Sequence, residues 1–187
     1  MKIFFNNRKH EAGFTLIELA AVLVILAVIF SIAIPAFSVW LPNYRLRGAA
    51  RDLYSNLQMA KLGAVKQNKE WAVVFDQTNN RYHVCSEQGG DGSWNVSGGD
   101  PVERTVNLDD YEDIYFGHAS LNTNILGAPF SGGDHIYYAN NWVVFGPRGT
   151  SEKGYVYLQN NRDTVYGVGT RPSGVIHLFK WNGSEWN

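Results

Sequence analysis

The chain has 187 residues and a formal net charge of −1, which excludes a domain that grips nucleic acid through bulk positive charge. Aromatic residues make up 14% and charged residues 18%, too much apolar material for a disordered chain and enough for a packed core. A single cysteine, Cys85, excludes an intramolecular disulfide framework, a thiolate zinc cage and a CxxC redox pair.

Residues 1–13 form a short polar leader in which Lys2, Arg8 and Lys9 outnumber Glu11. Residues 14–41, FTLIELAAVLVILAVIFSIAIPAFSVWL, carry one charge, Glu18. At about 1.5 Å rise per residue, such a stretch crosses a ~30 Å hydrocarbon core as a helix. A secretory signal peptide fits poorly, because the apolar run is too long and ends in Pro35, Trp40 and Pro42 rather than in a small-x-small site. An ordinary membrane anchor remains the plain alternative.

The junction Gly13-Phe14-Thr15-Leu16-Ile17-Glu18-Leu19 lies between the basic leader and the apolar run. It resembles the processing site of type IV prepilins and type II secretion pseudopilins. The resemblance implies that a prepilin peptidase cuts after Gly13 and that Phe14 is then N-methylated. A glycine suits an extended backbone in a protease cleft. The leader's charge favours the cytoplasmic side, although Arg45, Arg47 and Arg51 flank the other end of the span.

Glu18 is costly within an apolar span, which marks it as a functional residue. The resemblance implies an assembly role, with its carboxylate pairing to the Phe14 ammonium of a neighbouring subunit. A self-pair one helical turn apart is the structural alternative.

Beyond the span, Leu46, Ala50, Leu53, Leu57, Ala60 and Ala64 recur at steps of three and four. They predict an amphipathic helix over 42–68 whose stripe packs against a sheet. Residues 14–68 as one helix would run ~80 Å. Pro35 and Pro42 predict bends, and Asn68 a left-handed stop.

Residues 69–187 read as a β-rich head. Predicted strands are Trp71–Phe75, Tyr82–Cys85, Val102–Leu108, Ile114–Phe116, Trp142–Phe145, Tyr155–Gln159, Thr164–Val168 and Val175–Trp181. The glycine-rich stretch 86–101 reads as an exposed loop, 117–135 as a long irregular connection, and 160–163 as a hairpin turn.

The run YRLRGAARDLYSNLQMAKLGAVKQN followed by Trp-Ala-Val-Val-Phe resembles the minor subunits grouped as GspH/FimT-like. VVFGPRGT and GVIHLF resemble that group's terminal strands. The single cysteine argues against a major pilin with its C-terminal disulfide loop. A C-terminal stretch without an acidic cluster argues against a calcium-binding major pseudopilin. The expected fold is α+β and pilin-like: a long N-terminal transmembrane helix whose C-terminal half packs against antiparallel sheets.

The resemblance implies a minor pseudopilin of a type II secretion system, near the filament tip; the alternative is a FimT-like minor pilin of a type IV pilus, one that could bind DNA in natural transformation. Its partners would be other pilin or pseudopilin subunits, the prepilin peptidase and inner-membrane lipid. The span would be single-pass in a bacterial inner membrane, with the N-terminus cytoplasmic and the head periplasmic.

No catalytic, cofactor or metal site is expected. The histidines at 10, 83, 118, 135 and 177 include no HExxH pattern. Asp109, Asp110, Glu112 and Asp113 lack EF-hand spacing and read as a solvated turn. Gly167-Val168-Gly169 has no following helix to make it a phosphate loop. DNA is not an expected partner either. Some FimT-like pilins bind it through a paired-arginine motif, and the matching segment here, Ser173–His177, lacks those arginines. Trp94, Trp181 and Trp186 could stack bases if exposed, with packing as their ordinary role.

Overall fold

A computed structural model describes residues 13–130 and 135–187; the leader residues 1–12, His10 among them, lie outside the described residues. The first element, α1, is one helix over Leu16–Gln67, and it continues through Pro35 and Pro42 without interruption. Two compact units divide the chain, the first ending at Ser38 and the second comprising Val39–Asn187.

In the first unit, α1 exposes apolar side chains all around, from Leu16 through Phe37. It is long and apolar enough to cross a membrane. Hydroxyls along it bond back to the preceding turn. Ser31 Oγ donates to the Val28 carbonyl at 2.7 Å and Ser38 Oγ to the Pro35 carbonyl at 2.9 Å, so neither hydroxyl stands unsatisfied in an apolar setting.

In the second unit, the remainder of α1 is one-sided. Leu46, Ala50, Leu53, Leu57, Ala60 and Ala64 are fully buried, together with Ala49 and Asn56. The helix ends as a left-handed cap: Asn68 has φ 52°, and the Lys69 amide donates to the Ala64 carbonyl at 3.2 Å.

Eight strands follow: β1 Trp71–Asp76, β2 Arg81–Cys85, β3 Val102–Asn107, β4 Ile114–Phe116, β5 Trp142–Phe145, β6 Gly154–Asn160, β7 Val165–Thr170 and β8 Ile176–Lys180. They form two four-stranded sheets, ordered β3-β2-β1-β5 and β4-β6-β7-β8, with every pairing antiparallel. The β6–β7 hairpin turns at 160–163, pairing Gln159 with Val165.

The period-2 alternation of strand side chains sorts residues between two faces. Trp71, Val73 and Phe75 of β1, Tyr82 and Val84 of β2, and Val156 and Leu158 of β6 join the helix stripe in one continuous core. Residues between them face outward and are covered too. Ala72, Val74 and Cys85 lie under Trp94, which is only 3% exposed. The 86–101 stretch is mostly exposed, as a loop should be, and it also covers the first sheet through Trp94. Its anchor is the buried Asp100 carboxylate, which accepts from the Gly89 amide at 2.6 Å and the Asn95 amide at 2.7 Å.

The second sheet is covered similarly. Ile125, Phe130 and the C-terminal Trp181 and Trp186 pack over Tyr155, Tyr157 and Val165. Trp181 and Trp186 meet at 5.4 Å between ring centroids. Gly167 and Gly169 sit in β7 opposite Tyr157 and Tyr155. A Cβ on Gly169 would collide with the Tyr155 ring and the Gly154 carbonyl, so these glycines are seats for aromatic rings.

Candidate functional site

Gly13, Phe14 and Thr15 precede α1, and all three are exposed. The helix start is a reciprocal capping box. Glu18 Oε2 accepts from the Thr15 amide and from Thr15 Oγ1, both at 2.9 Å, while Thr15 Oγ1 accepts from the Glu18 amide at 3.3 Å. A carboxylate at the third helical position and a hydroxyl at the N-cap satisfy amides that the first turn would otherwise leave open. In an apolar medium each open amide is expensive, so the box is a condition for starting a helix there. The Thr15-x-x-Glu18 spacing carries this signal in the sequence; reading Glu18 for its charge alone passes over Thr15.

The six stripe residues lie together on the head side of α1, against the inner faces of both sheets. Further anchors lie beside them. Asn43 Oδ1 accepts from Asn160 Nδ2 at 3.0 Å and from Thr164 Oγ1 at 2.8 Å, tying the β6–β7 turn to the helix. Lys61 Nζ donates to the Gly174 carbonyl at 2.9 Å, so the Ser173–His177 segment is clamped to α1. These anchors are polar and off the apolar stripe, which hides them from periodicity.

Three carboxylates of the exposed acidic turn make structural contacts. Glu112 pairs with Arg45, Asp113 accepts from Asn161 Nδ2 at 2.9 Å, and Asp109 accepts from Asn80 Nδ2. Among the described residues, no group of three or more His, Cys, Asp or Glu side chains converges as a metal site would require. His83 is buried on β2, with Nδ1 2.8 Å from Thr105 Oγ1, and burial holds its pKa below the ordinary imidazole range. His177 stacks on Phe179 at 5.6 Å. Burial, with the Asp100 charge adding to it, pushes the Cys85 thiol up to about 12, far from the range of a reactive thiolate.

An apolar, capped N-terminal helix and a two-sheet α+β head define a protein of the pilin-like class. The sequence matches the family model for type II transport protein GspH over residues 49–174 and the prokaryotic N-terminal methylation motif over residues 8–34. The chain belongs to the GspH family of type II transport proteins. Two solved structures of the minor pseudopilin EpsH from the type 2 secretion system of Vibrio cholerae are similar to it. One has 14% identity and a TM-score of 0.49, covering 73% of this chain and 97% of that one. The other has 13% identity and a TM-score of 0.46, covering 72% and 92%. No curated protein matches the sequence.

Proposed function

We propose that the chain is a minor pseudopilin, a structural subunit of the periplasmic pseudopilus of a type II secretion system, near the tip of the filament. The observation that carries this reading is the pairing of a GspH match over most of the head with a methylation-motif match that spans Gly13, Phe14 and Glu18. The prepilin peptidase removes residues 1–13 and the new N-terminus is methylated at Phe14. The apolar part of α1 holds the subunit in the inner membrane, with the N-terminus cytoplasmic and the head periplasmic. During assembly Glu18 meets the Phe14 ammonium of a neighbouring subunit. Only Oε2 takes part in the capping box, which leaves Oε1 for that contact. The stripe from Leu46 to Ala64 keeps the head fixed on its own helix while the N-terminal part engages other subunits.

Deleting the gene in its own bacterium tests the reading. Proteins normally exported by type II secretion should accumulate in the periplasm, while transformation and twitching continue. Normal secretion with lost transformation would turn the assignment to a type IV pilus.

A further inference from the structure

Arg47 and Arg51 stand one turn apart on α1, and both are exposed. The ion pairs of the described residues engage Arg45, Lys69, Arg81 and Arg104; none engages Arg47, Arg51 or Lys180. These three cations line one groove of about 460 Å³. Both guanidiniums are close enough to Tyr166, on the groove wall, to act on its phenol electrostatically. Asn187 also lines the groove, its carbonyl oxygen taking the Lys180 amide at 2.8 Å; the three side-chain cations around the hollow repel one another and favour an added anion.

The rest of the groove narrows the class of anion. Its walls include Trp40, Tyr44 and Leu178, with the Trp40 and Tyr44 rings stacked at 5.0 Å. Trp40 and Tyr44 lie at the end of the uncharged stretch 19–44, and paired aromatics in that position are typical of the membrane–water boundary. Arg47 lies about 9 Å along the helix beyond Leu41. Helical side chains lean toward the N-terminus, so the long arms of Arg47 and Arg51 bring their guanidiniums back to headgroup level. Two planar forks one turn apart suit the oxygens of a phosphodiester. A free anion would gain nothing from the aromatic wall, whereas a lipid places its glycerol and upper acyl carbons there. Arginines beyond the translocated end of a span also run against the usual charge bias, and an anionic headgroup gives them a partner.

We propose that the groove formed by Arg47, Arg51 and Lys180 beside Trp40 and Tyr44 binds the headgroup of an anionic glycerophospholipid in the outer leaflet of the membrane that α1 spans. The proposal rests on reading residues 14–41 as that span.

The test uses the purified full chain in neutral detergent, with native mass spectrometry reading retention of short-chain phosphatidylglycerol, short-chain phosphatidylcholine and inorganic phosphate. Phosphatidylglycerol should be retained about tenfold more strongly than phosphatidylcholine. Arg47→Gln with Arg51→Gln should remove that preference and leave phosphatidylcholine retention unchanged. Arg47→Lys with Arg51→Lys should keep a preference, and Arg162→Gln with Arg171→Gln should leave it intact. Equal retention of the two lipids by the unaltered chain would overturn the proposal, as would undiminished preference in the Gln pair. Displacement of the lipid by equimolar phosphate would reassign the groove to free anions. Loss of retained lipid does not bear on secretion, and a secretion defect does not enter this assay, so the two readings fail separately.

Discussion

Asn56 on α1 donates its Nδ2 hydrogen to the Tyr82 hydroxyl on β2 at 2.8 Å, with Asn56 only 1% exposed and Tyr82 wholly enclosed. It is a polar bond inside an apolar core, and it fixes how far the helix can slide along the first sheet. Asn56→Ala should cost about 1–3 kcal/mol, because the buried phenol loses its partner. Asn56→Leu combined with Tyr82→Phe should restore most of that. Denaturant midpoints of residues 39–187 would show it; a silent Asn56→Ala would mean the bond contributes nothing.

Leu53 and Leu57 lie at the centre of the stripe and are fully buried. Each change to Ala should destabilise residues 39–187 by about 2–5 kcal/mol. That fragment is a compact unit and should fold without the apolar part of α1. An unchanged melting temperature in both variants would contradict a helix-centred core.

His83 gives the head a pH dependence of definite sign. Burial disfavours its charged form in the folded state, with Arg81 adding to the effect and Asp76 opposing it. Above the ordinary value of 6.5 both states are neutral there and stability is full. As pH falls through that value the unfolded chain takes up a proton first, and stability declines until the pH passes the lower folded pKa. His118, also held low by burial, contributes in the same direction. The melting temperature of residues 39–187 should therefore drop from pH 7.5 to 5.5, and His83→Gln should flatten part of that slope. An identical slope in the variant would remove His83 from the account.

Processing makes a separate prediction at Gly13. Intact mass of the protein from cells with an active prepilin peptidase should show residues 1–13 missing and one methyl group added at Phe14. A bulky replacement of Gly13 should leave the leader attached. A purified chain that still begins at Met1 would sink the processing scheme.

At Glu18 two roles can be separated. Glu18→Gln keeps an acceptor for Thr15 but loses the charge, and Glu18→Leu loses both. If intersubunit pairing needs the charge, both variants should be inserted and cleaved yet recovered poorly with other pseudopilins after crosslinking. If Glu18 serves only its own helix start, the Gln variant should be recruited as well as the unaltered chain, and Thr15→Val should impair insertion more than Glu18→Gln does.

Much of the architecture was legible in the sequence because it is local. A stripe at steps of three and four needs one covered face, and Asn68 stops it by tolerating the left-handed region. The positions of all eight strands follow from apolar runs between turn residues. Their division into two sheets does not. Ile114–Phe116 leaves the chain-adjacent β3 to pair with β6, and Trp142–Phe145 returns to pair with β1; both choices depend on contacts far apart in the chain. The loop covers were half-legible. Trp71–Phe75 is apolar at every position, so neither face of that strand suits water, but nothing local says that Trp94 supplies the second cover. In the N-terminal segment the capping pair could be read from spacing alone. The groove could not, because Lys180 reaches Arg47 and Arg51 only through the fold.

Cys85 turns the cover of the first sheet into something measurable. The thiol is fully buried beneath Trp94 and its pKa is pushed up to about 12, so with the cover closed it is a small apolar filler, inert to oxidants and to alkylating reagents. Opening of the 86–101 segment restores both access and acidity at one stroke. The rate at which a thiol reagent labels this lone cysteine is then a clock for that opening, built into the native sequence without any added probe. A ligand or neighbouring subunit that settles on the cover would slow the clock, and one that pries it up would quicken it.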